Sequence, residues 1–293
     1  MKMFTVLVSI VVGSVASVVT QKPVAPTLAS VMADAAGYLD VYEEKFGAVA
    51  CEERTHEIAA IGSSGGRYVR SDVALIGSEA AGWLTFRDAF EVDGNPLRVR
   101  DTRLVDVLGG PPAAALEGAR RINNEGARQH VGSQNVNRAI NGPMLALLFL
   151  RRANQARSAF VFGGMKSVNG SQAALVTFTE RSMPRVLKSA DDAPVTGKLW
   201  IQPGTGRVVQ TELSMKSIGG QPLVGSPVGV TVRIVVRYAD QPELGIWVPI
   251  RLDEDYEIMP RGQSANSTPQ TYSGRAEYSR FRRLAIDVRA IGR

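Results

Sequence analysis

A serine between glycines is the first feature of the sequence that could carry chemistry. The stretch GSSGG, residues 62–66, matches the pattern G-x-S-x-G and places Ser64 at the nucleophile position of that motif. The chemistry requires a strand, a sharp turn and then a helix, so that the hydroxyl is exposed at the turn. The residues that follow, RYVRSDVALI, are typical of a strand. We therefore interpret GSSGG as the turn of a hairpin.

Histidine and cysteine chemistry is limited by how few of these residues there are. His56 and His130 are the two histidines, and neither belongs to a pattern with metal-ligand spacing. We expect both to be solvated or locally hydrogen-bonded. Cys51 is the one cysteine, which excludes an intramolecular disulfide and a cysteine metal cage. We expect it to be a small buried residue at the start of a strand.

Acidic residues cluster in RLDEDYE, residues 251–257. Three of them share one face of a strand, whereas Glu254 points to the other face. The three are Asp253, Asp255 and Glu257. Such carboxylates could bind Ca²⁺ or carry out acid–base catalysis. Because Arg233 and Arg237 lie on the polar face of the preceding strand, we favour cross-strand charge pairing on a solvated face.

Composition and motifs narrow the possible functions further. The sequence contains no Walker A loop, Rossmann glycine pattern, zinc motif or EF-hand loop, so we expect no cofactor and no bound metal. Its 293 residues carry a net charge of +6 that is mixed along the chain, which argues against nucleic-acid binding. The arginine-rich stretch SRFRRLAIDVRAIGR could make a peripheral contact with anionic lipid, but we favour a final strand with solvated arginines.

The N-terminus reads as a secretory signal peptide, residues 1–20. Lys2 is followed by an apolar run from residue 3 to residue 12 and then by small residues, with a possible cleavage site after Ala16. This run is shorter than the roughly 20 residues of a comfortable membrane span. We expect a cleaved signal and a bacterial protein that is periplasmic or secreted, with an uncleaved anchor as the alternative.

The order of helical and strand-like stretches that position these residues predicts one α+β domain over residues 21–293. Helical periodicity covers residues 27–46, and three strands are expected between about 48 and 94. A helical insertion follows at 101–155, and residues 157–283 are strand-like. The predicted fold is a curved antiparallel sheet, half-barrel-like, packed against the N-terminal helix and the central helical insertion.

Alternation within the strands predicts a sheet with one apolar face. In GVTVRIVVRYA it places Val232 and Ile234 on one face, and in GIWVPIRL it places Val248, Ile250 and Leu252 on one face. A loosely fitting helical cover would leave an apolar cavity over this face, whereas a close fit would pack it solid. The sequence leaves both open. The candidate lining residues are Leu145, Leu148, Phe149, Trp200, Val232, Ile234, Val248 and Ile250.

The stretch GKLWIQPGTGRVVQTEL, residues 197–213, resembles a strand pair of bacterial periplasmic lipoprotein-carrier proteins: an apolar strand with an aromatic residue, a turn with Thr-Gly, and an alternating strand. The chain also resembles uncharacterised bacterial secreted proteins that carry the stretches WLTFRDAFEVDG and LALLFL. The carrier resemblance covers about residues 157–283. It implies a half-barrel with helices as a lid, acyl chains bound on the concave face, and no catalytic residues.

Together these observations predict non-catalytic binding of a lipid, an acyl chain or another hydrophobic ligand on the concave face of the sheet. The expected partner is a hydrophobic ligand or a lipoprotein. One alternative is an interaction or structural module of the cell envelope with an exposed apolar patch, for which Trp83 and Trp247 are candidates. Another is a hydrolase that uses Ser64, or Asp253 and Asp255, in a cleft.

Overall fold

The computed structural model describes residues 25–61, 63–78, 82–131, 141–188, 192–217, 228–260 and 269–286. The predicted signal peptide, residues 1–20, lies outside these ranges. The helical elements are α1 (Leu28–Phe46), α2 (Arg103–Leu108), α3 (Pro112–Ala127), a 3-10 helix (Leu145–Leu150) and α4 (Arg152–Gln155). None of the described helices is both long enough and apolar enough to cross a bilayer.

Eleven described strands form one antiparallel sheet that is open and curved. They are β1 (Ala48–Ile61), β2 (Ser63–Ser78), β3 (Gly82–Val92), β4 (Asn95–Pro96), β5 (Ser158–Val168), β6 (Ser171–Glu180), β7 (Val195–Ile201), β8 (Val208–Ser217), β9 (Val228–Gln241), β10 (Ile246–Pro260) and β11 (Gln270–Arg283). Their order across the sheet is β4-β3-β2-β1-β11-β10-β9-β8-β7-β6-β5. The predicted fold class, an α+β half-barrel-like sheet with N-terminal and central helices, is confirmed.

The connection between β1 and β2 is tighter than predicted. Ser64 does not lie in a turn but within β2, where it pairs with Ala60 of β1. Strand β2 continues to Ser78, so no helix follows the glycine–serine stretch. The hairpin is therefore confirmed, and the strand–turn–helix that a nucleophilic Ser64 requires is not formed.

Helix α1 forms where its sequence combines a cap with an apolar stripe. The Thr27 side chain accepts a hydrogen bond from the Ser30 N–H at 3.2 Å, and the Thr27 N–H donates to the Ser30 hydroxyl at 3.0 Å. The helix ends at Gly47, whose φ of +56° favours glycine. Its buried stripe packs on one face of the sheet. We call this the inner face and the opposite one the outer face.

A second, smaller core lies on the outer face at one end of the sheet. There α2 and α3 pack against β1, β2 and β3. Ala74 and Ile76 of β2 contribute to this core, whereas their neighbours Val73 and Leu75 contribute to the core under α1. Strand β2 is therefore buried on both faces here, which explains why its apolar residues are consecutive and do not alternate.

Candidate functional site

The inner face is apolar across five neighbouring strands, from β6 to β10. Each strand contributes side chains that are almost fully buried in a single hydrophobic core. Examples, one from each strand, are Val176, Leu199, Leu213, Ile234 and Val248. Because alternate residues of a strand point to the same side, these rows form a continuous apolar floor.

Helix α1, of 19 residues, and the six-residue 3-10 helix cover this floor. Helix α1 lies on it with Val31, Ala35 and Leu39, all at most 2 % exposed. The 3-10 helix places the stretch LALLFL beside α1, and the Phe149 ring lies 4.5 Å from the Phe178 ring of β6 between centroids. The predicted helix near residues 143–150 is thus a 3-10 helix, and the extended backbone of Arg151 (φ −57°, ψ 134°) separates it from α4.

Most of the predicted lining residues come together on this inner side. Leu145 is half-buried against the core, and the others that lie in the cover or the floor are fully buried. These are Leu148 and Phe149 in the cover and Val232, Ile234 and Val248 in the floor. Cover and floor are in direct contact within one hydrophobic core.

Two predicted lining residues lie elsewhere. Trp200 is half-buried on the outer face, because its neighbours Leu199 and Ile201 are fully buried on the inner face. Ile250 is 39 % exposed. It follows Pro249 at a bulge, where the pairing of β10 with β9 shifts by one residue, so the alternation that begins at Val248 is interrupted before Leu252.

The cover is attached to the sheet by tyrosine hydroxyls. Tyr42 of α1 donates to the Trp247 carbonyl at 2.6 Å, and Tyr238 of β9 donates to the Pro143 carbonyl at 2.6 Å, just before the 3-10 helix. Burial raises the pKa of both tyrosines well above the ordinary value, so both hydroxyls remain donors. In both contacts a buried tyrosine hydroxyl donates a hydrogen bond to a backbone carbonyl.

The turn of the stretch GKLWIQPGTGRVVQTEL also holds α1. The Gly204 N–H donates to the Asp34 carboxylate at 2.7 Å. Gly206, with φ +68°, lies so close to the Asp34 backbone that any Cβ would overlap the Asp34 carbonyl. This hairpin therefore belongs to the floor through Leu199 and Ile201 and supports the cover through its turn.

A polar region interrupts the inner face where β1, β11 and β10 lie side by side. Glu53 of β1 accepts hydrogen bonds from the Arg87 guanidinium at 2.9 Å, and both residues are buried. Glu254 of β10 accepts hydrogen bonds from the hydroxyls of Tyr256 at 3.1 Å and Tyr272 at 3.4 Å. Hydrogen bonding lets these carboxylates lie inside the protein.

His130 lies in this polar region and not in solvent. It is 6 % exposed, and its Nδ1 contacts the carboxylate of Glu57, which also accepts the Val131 N–H at 2.9 Å. The expectation of a solvated or local contact is wrong for His130, because the partner comes from a strand 73 residues earlier. His56 stacks on Tyr68, with 4.3 Å between ring centroids.

The absence of a side chain at Gly274 leaves room for the Glu254 carboxylate in the polar region. It pairs with Glu57 on one side and Glu254 on the other. A Cβ at Gly274 would lie 2.8 Å from Glu254 Oε1 and 3.0 Å from the Tyr272 hydroxyl. No group of three histidine, cysteine, aspartate or glutamate side chains able to hold a metal occurs in the described ranges.

The acidic cluster of residues 251–257 is paired on the outer face, in the manner predicted. Asp253 accepts hydrogen bonds from Arg251 at 2.7 Å and Arg275 at 2.9 Å. Burial would raise the pKa of Asp253, but the two guanidiniums outweigh burial and lower it. Asp255 accepts from the Ser273 hydroxyl at 2.9 Å. Arg233 of the preceding strand lies 3.8 Å from Asp255, as the sequence predicted, whereas the closer partners Arg251 and Arg275 were not predicted.

Neither tryptophan proposed for an exposed patch is fully exposed. Trp83 is 5 % exposed and packs edge-on against Phe46, with 4.9 Å between ring centroids. Trp247 is half-buried, with the Arg207 guanidinium 5.8 Å from its ring. Cys51 is buried as predicted, and burial raises the pKa of its thiol well above the ordinary value.

Two surface pockets lie away from the inner face. One, of about 410 Å³, is lined by polar and charged residues of α3. The other, of about 500 Å³, lies on the outer face around the stacked His56 and Tyr68, between Arg54 and Arg70. Both are lined mainly by charged residues, many of them in ion pairs, so neither resembles an apolar ligand site.

Comparison with known proteins gives distant structural neighbours. No protein-family model matches the sequence, and a search of curated proteins finds no match. The chain is similar to an outer membrane lipoprotein-sorting protein domain from Vibrio parahaemolyticus, with a TM-score of 0.40 and 8 % identity over 87 % of this chain and 94 % of that one.

Two further solved structures are similar at the same level. One is a LolA superfamily protein from Nitrosomonas europaea, with a TM-score of 0.32 and 11 % identity over 86 % of this chain and 94 % of that one. The other is a DUF1329 family protein from Desulfovibrio piger, with a TM-score of 0.35 and 9 % identity over 87 % and 94 %.

Proposed function

We propose that this protein binds a hydrophobic ligand, such as an acyl chain or a lipid, on the inner face of its sheet and does not catalyse a reaction. One observation carries the proposal: five neighbouring strands present a continuous apolar floor, and among the described residues it is covered by α1 and by a 3-10 helix of only six residues.

The proposed ligand takes the place of part of the cover. Since cover and floor are in contact, a ligand must displace apolar side chains to reach Val232, Ile234 and Val248. The 3-10 helix is the shorter segment, and a 3-10 helix has poorer hydrogen-bond geometry than an α-helix. We infer that the ligand enters beside Leu145, Leu148 and Phe149.

The proposed location is the periplasm or the extracellular space of a bacterium. It is supported by the sequence of residues 1–20, which has the charged, apolar and small-residue regions of a signal peptide. Export also fits a chain whose one cysteine, Cys51, is buried and cannot form an intramolecular disulfide. A lipoprotein is a proposed partner because it carries the acyl chains that such a floor would accept.

Extraction of the purified protein tests the proposal. Organic extraction followed by mass spectrometry should recover an apolar molecule in a fixed ratio to protein, and the extracted protein should bind the fluorescent probe 11-dansylaminoundecanoic acid. Ile234→Gln, in the floor, should weaken probe binding at least tenfold, whereas Ile58→Gln, 54 % exposed, should not. Circular dichroism checks that both variants fold. The absence of both an extracted molecule and probe binding would overturn the proposed function.

A further inference from the structure

The two edges of the sheet differ in how they are protected. One edge is β4, a strand of only two residues, Asn95–Pro96, whose proline lacks an N–H. The other edge is β5, with 11 residues. Within the described ranges, β5 pairs only with β6 and leaves its other side without a strand. A long edge is a template for pairing with another chain.

The side chains of β5 suit such pairing. Val161 is 60 % exposed, and Phe160 and Phe162 beside it are only partly buried. Residues 158–164 carry no charge, although charges are a common means of protecting an edge. A bulge between Phe162 and Met165 limits the regular part of the strand to residues 158–162 and a short stretch beyond the bulge.

The sequence of residues 158–164 is nearly symmetric about Val161. The stretch reads Ser-Ala-Phe-Val-Phe-Gly-Gly, so similar residues stand at equal distances on either side of Val161. A two-fold interface requires a self-complementary surface, in which residue i contacts j and j contacts i. Antiparallel pairing centred on Val161 would oppose Val161 to itself and Phe160 to Phe162 twice.

We propose that β5 pairs with β5 of a second copy of this chain, antiparallel and centred on Val161, so that two sheets join into one. The uncharged centre avoids the repulsion that like charges would cause between two molecules of net charge +6. Aromatic cross-strand pairs between Phe160 and Phe162 add to the backbone hydrogen bonds. This dimer does not depend on the proposed ligand.

The contact is short, so association should be weak and depend on concentration, with dimers appearing on the order of 10 µM. Sedimentation velocity between 1 and about 200 µM should show this shift for the wild-type chain. Val161→Lys, which places two like charges opposite each other, should remain monomeric throughout the range. Val99→Lys, at a residue that is 87 % exposed and far from β5, should dimerise like the wild type.

Cysteine cross-linking tests the register. Cys51 is fully buried, so a single introduced cysteine is the accessible thiol among the described residues. Val161→Cys should form a disulfide-linked dimer on mild oxidation, because opposed residues of antiparallel strands bring their Cβ atoms within about 4.5–5.5 Å of each other. Val99→Cys should cross-link at least tenfold more slowly.

Three results would overturn the proposal. They are a wild-type chain that is monomeric at every concentration, a dimer that survives Val161→Lys, and equal cross-linking rates for the two cysteine variants. An edge that instead pairs with an extended segment of a different protein would give the first result. Ligand binding is measured separately, so the dimer and the proposed function can fail independently.

Discussion

Gly206 lies against the backbone of Asp34, and this contact joins a hairpin turn of the sheet to helix α1. Gly206→Ala should lower the free energy of unfolding by about 3 kcal/mol or more, because the added Cβ meets the Asp34 carbonyl and the φ of +68° disfavours a side chain. Gly204→Ala is the matched control. It shares a positive φ but has open space around it, so we expect a loss of about 1 kcal/mol. Equal losses in urea unfolding would contradict the close contact.

The hydroxyl of Tyr42 should contribute to stability as a buried donor. Tyr42→Phe should reduce the free energy of unfolding by about 1–2 kcal/mol, since it leaves the Trp247 carbonyl without this hydrogen bond. Tyr38→Phe, one helical turn away, is the control and should change stability by less than about 0.5 kcal/mol. Thermal and urea unfolding of the two variants measure the difference. A similar loss in both would show that the hydroxyl of Tyr42 has no special role.

Variants of two arginines test how much a buried ion pair and an exposed one contribute to the free energy of unfolding. Arg87→Met should cost about 3–5 kcal/mol, because it removes the guanidinium that faces the buried Glu53. Arg152→Met removes the partner of Asp40 in an exposed pair and should cost less than about 1 kcal/mol. Both arginines donate to their carboxylate through Nε at 2.9–3.0 Å, but Arg87 is buried and also donates to Asn141, so its larger loss includes those hydrogen bonds. A small loss of stability in Arg87→Met would contradict a role for the Arg87–Glu53 ion pair in stabilising the polar region.

Stability should decline in acid because several carboxylates have a lowered pKa in the folded protein. For Glu52 and Glu212, burial alone would raise the pKa, but hydrogen bonds and charges from arginine and lysine partners outweigh burial and lower it. A lowered folded pKa stabilises the fold above the unfolded value, and this contribution is lost as pH falls through the folded pKa. The free energy of unfolding should therefore decrease below the ordinary glutamate value of 4.5.

Glu212→Gln checks the origin of this dependence. The variant should be less stable at pH 7 and should lose less stability between pH 5 and pH 3 than the wild type, since Lys198 and Arg233 no longer face a carboxylate. Glu44→Gln, at an exposed position of α1, is the control for the loss of a surface carboxylate. An unchanged slope in Glu212→Gln would exclude its carboxylate as a cause.

Local patterns predicted the parts of the fold that depend on neighbouring residues. The alternation of β9 correctly placed Val232 and Ile234 on one face, and the helical periodicity of residues 27–46 corresponds to α1. Alternation failed at Ile250, because a bulge inserts one residue there; the preceding Pro249, a residue that central strands accept mainly at bulges, was a signal that the sequence analysis did not use. Trp200 was named among the lining residues, although its two buried neighbours place it on the outer face.

The polar region could not be predicted because its members meet only through pairing of distant strands. Glu57 and Glu254 become neighbours when β11 inserts between β1 and β10. A signal was present nonetheless. Glu254 was correctly placed on the face opposite Asp253, which is the face that carries Leu252 and Tyr256. An acidic residue in a row of apolar residues indicates a buried hydrogen-bonding partner. Glu57 is also a buried acidic residue, and His130 is its buried partner.

Strand β11 is the last of the described strands, and it is hydrogen-bonded to β1 on one side and to β10 on the other. A growing polypeptide therefore holds two pieces of sheet that are not hydrogen-bonded to each other until β11 has been made. Closure of the sheet between β1 and β10 must wait for this strand, although β1 is made long before it. A truncation that removes β11 should leave two half-structures, each with a new unprotected edge at the former middle of the molecule.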